Sequence, residues 1–118
     1  MDTYLLLLRE DPKQYMNLSP TEMQALIERY RAWSTQLAQQ GRLVDGHKLT
    51  DEGGKRVRVG KDGPLVTDGP FAESKDVVGG LFIIKATSYG EAVQLVADCP
   101  HLHGGNEIEL RKIEVMQG

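Results

Sequence analysis

The chain has 118 residues, a formal net charge of −3, 40% apolar and 26% charged residues, which is the size and balance of one globular domain spanning 1–118. That balance offers no basic footprint for nucleic acid, and the longest early apolar run, Tyr4 to Leu8, is too short for a membrane span or a signal peptide. Cys99 is the single cysteine, so no internal disulfide forms, and together these features predict a cytoplasmic protein.

Thr3 to Arg9 predicts a strand that is apolar on both faces, because Leu5, Leu6, Leu7 and Leu8 are consecutive; Asp11-Pro12 ends it. A well-punctuated helix follows. Ser19 is placed as N-cap, Pro20 at the first helical position, Glu22 as capping-box partner, and Leu18 with Met23 as hydrophobic staple. Met23, Leu26, Ile27, Tyr30, Trp33 and Leu37 recur at three- and four-residue spacing, one helical face that Gly41 terminates. Aromatics at that spacing usually pack, so Tyr30 and Trp33 read as core residues.

Arg42 to Thr50 is a weaker strand interrupted by Gly46. Asp51 to Gly54 turns the chain, Lys55 to Val59 alternates basic and apolar residues, and Lys61-Asp62-Gly63 turns it again into Pro64 to Thr67. This pattern predicts a β-hairpin with one solvated face. Gly80 to Ala86 predicts a second strand, with Leu81 and Ile83 on one face and Phe82, Ile84 and Ala86 on the other. Ser88 is placed to cap a second helix with Glu91 as box partner; Ala92, Val93, Val96 and Ala97 form its buried stripe and Pro100 its stop. Glu107 to Val115 predicts the last strand, and a change of parity along it predicts a bulge or bend near Arg111-Lys112.

The order is β-α-β, an inserted hairpin, then β-α-β. This is an α+β chain, ferredoxin-like βαββαβ with an inserted β-hairpin. Both helices then cover one face of an antiparallel sheet, and the other face should be polar. The two strands apolar on both faces break that rule and leave a patch that monomers rarely expose. A second copy across a two-fold axis would cover it, making a homodimer with a dimeric α+β barrel. The alternative cover is the hairpin from Lys55 to Thr67, folded under the sheet.

The densest group of special residues is Asp68-Gly69-Pro70-Phe71-Ala72-Glu73-Ser74-Lys75, followed by Gly79-Gly80 before an apolar strand. With Leu18-Ser19-Pro20, Glu22-Met23, Cys99-Pro100 and Ile108-Glu109-Leu110-Arg111, it resembles the DGPF-type branch of the YCII-related family over nearly the whole chain. The resemblance implies a dimeric α+β barrel. Relatives of that type include a dehydrochlorinase-like enzyme, and a His/Asp pair is proposed for their acid–base work. Here the matching part of the first helix reads Thr21-Glu22-Met23-Gln24-Ala25, without a histidine, so the pair does not carry over intact. Asp68 matches the acidic member loosely. DGPF-type proteins are also encoded beside, or fused to, extracytoplasmic-function sigma factors, which implies a sigma factor as partner.

Asp68 precedes Gly69-Pro70, and Pro70 has no N–H to donate. Its carboxylate therefore turns to later amides, to a basic side chain, or to a ligand. The structural reading makes it a turn-ordering acceptor; the chemical reading makes it a general base. His47 is its candidate partner, Phe71 and Trp33 are candidate walls of a ligand cleft, and Glu73 and Lys75 are candidate ligand contacts. Asp98, Cys99, His101 and His103 are ligand types that suit zinc, but their spacing matches no standard closed site, so no metal is expected. Gly79-Gly80 and Gly104-Gly105 match no phosphate loop and read as backbone bends, and no cofactor is expected. Lys55, Arg56, Arg58 and Lys61 read as a solvated face.

Two functions follow. The leading one is a small homodimer that binds a small organic molecule in a barrel cleft, with cofactor-independent acid–base chemistry such as isomerisation or elimination. The alternative is a non-catalytic regulatory or accessory protein working with a sigma factor.

Overall fold

The computed structural model describes residues 1–69 and 76–116. Its centre is a four-stranded antiparallel sheet in the order β2-β5-β1-β6. The strands are β1 (Asp2–Glu10), β2 (Leu43–Lys48), β5 (Val77–Ala86) and β6 (Glu107–Lys112). Counting only these four, the order is that of a ferredoxin-like split βαβ, as the sequence predicts. The hairpin of β3 (Lys55–Gly60) and β4 (Gly63–Asp68) forms a sheet of its own.

Helix α1 (Pro20–Gln39) starts where its caps place it. The Ser19 side chain accepts from the Glu22 amide and the Glu22 carboxylate accepts from the Ser19 amide, closing the capping box. Gly41, at φ +72°, takes the left-handed conformation that ends the helix. In α2 (Tyr89–Val96) the second box is only half formed. Ser88 accepts from Glu91, but the Glu91 carboxylate turns to the Thr87 amide and to Arg42 instead.

Three sequence expectations need correction. Val93 and Ala97 are exposed; Ala92, Val96 and Cys99 fill the core instead. Pro100 does not simply end a helix: it opens the short α3 (Pro100–His103), where its missing N–H costs nothing. The last strand stops at Lys112 instead of reaching Val115, so the change of parity coincides with its end.

The core lies on one face of the sheet. Tyr4, Leu6 and Leu8 of β1 and Ile84 and Ala86 of β5 meet Trp33 and Leu37 of α1 and Ala92 and Val96 of α2. On the opposite face Leu5 pairs with Ile83 and Leu7 with Leu81, and all four are only half-buried. The hairpin does not cover them: nearly all of β3 and β4 is exposed. The radius of gyration is 16.5 Å, against about 13 Å for a compact domain of ~100 residues, because the arm projects. Among the described residues no helix is long and apolar enough to cross a membrane.

Candidate functional site

The C-terminal half of α1 places Trp33 and Leu37 in the buried cluster with Tyr4, Leu6 and Ile84, and packing there is tight. Beside the N-terminal half the sheet presents Leu8, Gly46, Gly80 and Phe82, and here helix and sheet do not close on each other. The result is a cavity of about 470 Å3 between α1, the sheet and the 3-10 turn at Pro12–Tyr15. Met23, Leu26 and Ile27 wall it from the helix, and Leu8 and Phe82 from the sheet. The Phe82 ring lies across Gly46, where a Cβ would come within 2.6 Å of Cδ1. It also meets Trp33 edge-on, with ring centres 5.2 Å apart at 82°.

The polar end is built by Glu10, Tyr15 and Tyr30. Glu10 is the last residue of β1. Beside it the β1–β5 register slips: Leu8 faces Gly80, Arg9 faces Val78, and Gly79 is left unpaired as a bulge. The Glu10 carboxylate occupies the space that a side chain at 79 would need, since a Cβ there would lie 2.0 Å from Oε1. Burial raises the pKa of Glu10; Lys48 lowers it and Asp51 raises it.

Tyr30 and the fully buried His101 tie this end to the core. The Tyr30 hydroxyl lies 2.8 Å from His101 Nδ1, and His101 Nε2 lies 2.7 Å from the Arg9 carbonyl. A carbonyl only accepts, so Nε2 carries the proton and Nδ1 accepts from Tyr30. Burial lowers the pKa of His101, which favours this neutral form. Burial likewise raises the pKa of both tyrosines, and the Tyr15 hydroxyl stands beside that of Tyr30.

The sequence-predicted residues fall elsewhere. Trp33 is core, backing Phe82 from behind rather than facing the cavity. His47 borders the cavity's edge, but its register partner is Leu81, which puts its side chain on the open sheet face. There it bonds to Asp45 at 3.0 Å and lowers the pKa of that carboxyl. Asp68 ends β4, is exposed, and pairs with Lys55 at 2.5 Å. Among the described residues no hydrogen bond or ion pair joins Asp68 to His47. Phe71, Glu73 and Lys75 lie outside the described residues.

The residues suited to zinc also separate. His103 Nε2 donates to the Ala97 carbonyl, His101 is committed to Tyr30 and Arg9, and burial pushes the Cys99 thiol up to about 11. Glu10 and Tyr15 carry no local signal in the sequence. The paired glycines within β5 were the visible trace of the site, read as a bend rather than as room for a carboxylate.

The family model for the YCII-related domain matches residues 3–117. Among solved structures the chain is similar to 5-chloro-2-hydroxyhydroquinone dehydrochlorinase from Burkholderia phenoliruptrix AC1100, in complex with 2,5-dihydroxybenzoquinone. The identity is 17%, over 95% of this chain and 93% of that one, with a TM-score of 0.49. No curated protein matches the sequence significantly.

Proposed function

Starting from the fact that the chain belongs to the YCII-related family, we propose that it binds a small organic molecule in the cavity beneath the N-terminal half of α1. The cavity itself carries this reading. Its volume falls in the range of small-ligand sites, and its apolar walls close on a few convergent polar groups. Glu10 is the acid–base group of this proposal. It is half-buried and has a raised pKa, whereas Asp68 is exposed and paired with Lys55.

The test is ligand-observed NMR with a small-fragment library on wild type and on Leu26→Trp, which fills the cavity. Fragments that bind wild type and are lost in a folded Leu26→Trp variant support the proposal. Absence of binding, or binding that the plug leaves unchanged, overturns it.

A second copy of the chain is the proposed cover for the open sheet face. Leu5, Leu7, Leu81 and Ile83 form its apolar centre, and the chain's own hairpin leaves them uncovered. In that arrangement His47 and Asp45 border the interface. Leu7→Glu should convert the dimer to monomer by sedimentation velocity; a wild-type protein that already sediments as a monomer refutes the idea.

The sigma-factor reading rests on a different observation. Val57, Val59 and Val66 are 64%, 98% and 54% exposed on the projecting hairpin, a surface open to a protein partner. A co-expressed extracytoplasmic-function sigma factor should then copurify with wild type and be lost from Val57→Asp. Its failure to copurify with wild type removes this reading.

A further inference from the structure

We infer that the polar end of the cavity receives the ammonium group of an amine with an apolar body, an inference that rests on reading the cavity as a ligand site. Hydrogen-bond directions carry the argument. His101 Nε2 donates to the Arg9 carbonyl, so Nδ1 takes the hydrogen of Tyr30. The Tyr30 oxygen therefore turns only lone pairs toward the cavity. Tyr15 stands beside it at the same end of the cavity. Glu10 adds a carboxylate. Glu10 and the Tyr30 oxygen are both acceptors, and an ammonium is a cluster of donors with no lone pair. A carboxylate or phosphate head would face the Glu10 carboxylate and the Tyr30 lone pairs, and the Lys48 ammonium at this rim is already shared between the Leu49 carbonyl and Asp51.

Charge points the same way. Among the described residues Glu10 has neither a hydrogen bond nor an ion pair. The charges that reach it are Lys48 and Asp51. Lys48 is already held by the Leu49 carbonyl at 2.9 Å and by Asp51 at 3.2 Å. Two carboxylates therefore stand against one occupied ammonium, and the surplus is negative. Arg31 also borders the cavity, but it is exposed and not among the charges that reach Glu10. The rings of Phe82, Tyr15 and Tyr30 add π-rich surface that attracts a cation. Leu8, Met23 and Leu26 then take the apolar body.

The experiment is calorimetric titration with three probes of one shape: phenethylamine, 3-phenylpropionate and 2-phenylethanol. Phenethylamine should bind at least about tenfold more tightly than 3-phenylpropionate, because only the amine makes charge-assisted bonds. Glu10→Gln should weaken phenethylamine by about tenfold and leave 2-phenylethanol within about twofold. Gly79→Ala should act similarly, since the new methyl displaces the carboxylate while the strand is kept; circular dichroism checks the fold of both variants. If all three probes bind alike and all are lost in Leu26→Trp, the ammonium inference falls and the ligand cavity stands. If none binds, both fall.

Discussion

The two halves of α1 meet the same sheet in different ways. Trp33 and Leu37, in the C-terminal half, are 6% and 3% exposed. Met23 and Leu26, in the N-terminal half, are half-buried, and Ile27 is 41% exposed. Both halves belong to one apolar stripe. The difference lies across the gap, where one half joins the buried cluster with Tyr4, Leu6 and Ile84 and the other faces a cavity bordered by Gly46 and Gly80. A periodic stripe thus fixes which face of a helix turns inward, but the opposing strands decide whether that face makes a core or a cavity.

Substitutions along α1 should expose this contrast most sharply. Trp33→Ala should cost about 3–5 kcal/mol by chemical denaturation, since it empties the packed side and frees Phe82. Leu26→Ala should cost about 1 kcal/mol or less, because its surroundings are already open. Equal losses from the two would deny that the halves differ.

Gly46→Ala comes next. Its methyl would strike the Phe82 ring, which Trp33 holds from behind, so a loss of about 1–3 kcal/mol is expected along with a smaller cavity. A crystal structure of that variant with Phe82 unmoved would contradict the proposed fit. Ser19→Ala, at the loose end of the helix, should lower stability by about 1 kcal/mol through loss of its cap. Thermal unfolding unchanged by this substitution would mean that the capping box contributes nothing.

The smallest effect concerns pH. Glu10 has a raised pKa in the folded protein, so between the unfolded and folded values the folded state binds more protons. Its contribution to stability is therefore complete below the ordinary carboxyl range and is lost as pH rises through the folded value. Glu91, on the packed side, has the opposite sign: the Thr87 amide and Arg42 lower its pKa, and its contribution is lost as pH falls. Glu10→Gln should match wild type in acid and gain slightly in melting temperature at neutral pH. A variant less stable at neutral pH would show that the ionised carboxylate is not penalised.

Much of the fold was legible because its signals are local. Ser19-Pro20 and Glu22 identify the start of α1, and Gly41 its end, within one turn of each boundary. Alternation in β5 assigned Ile84 and Ala86 to one face and Leu81 and Ile83 to the other, and burial agrees. Where a choice depended on a distant partner, the sequence misled. Glu91 meets every local requirement of a box, yet Arg42 and Thr87 draw it away. Tyr30 has the spacing of a core residue, but its role is set by His101, 71 residues on. His47 could be paired with Asp68 on residue type alone; the register with Leu81 puts it on the other side of the sheet from the cavity.

The unpaired Gly79 makes the cavity depend on the length of the chain at one point, apart from any question of residue type. Deleting that single codon would restore an uninterrupted ladder between β1 and β5. Val78 and Val77 would keep Arg9 and Glu10 opposite them, but with no extra residue between Val78 and Gly80 to bow the strand. Glu10 would lose the gap that seats its carboxylate, although every chemically active group of the site remained encoded. In a lineage of such sequences, a one-residue gap at this position would mark the loss of the site more sharply than any substitution.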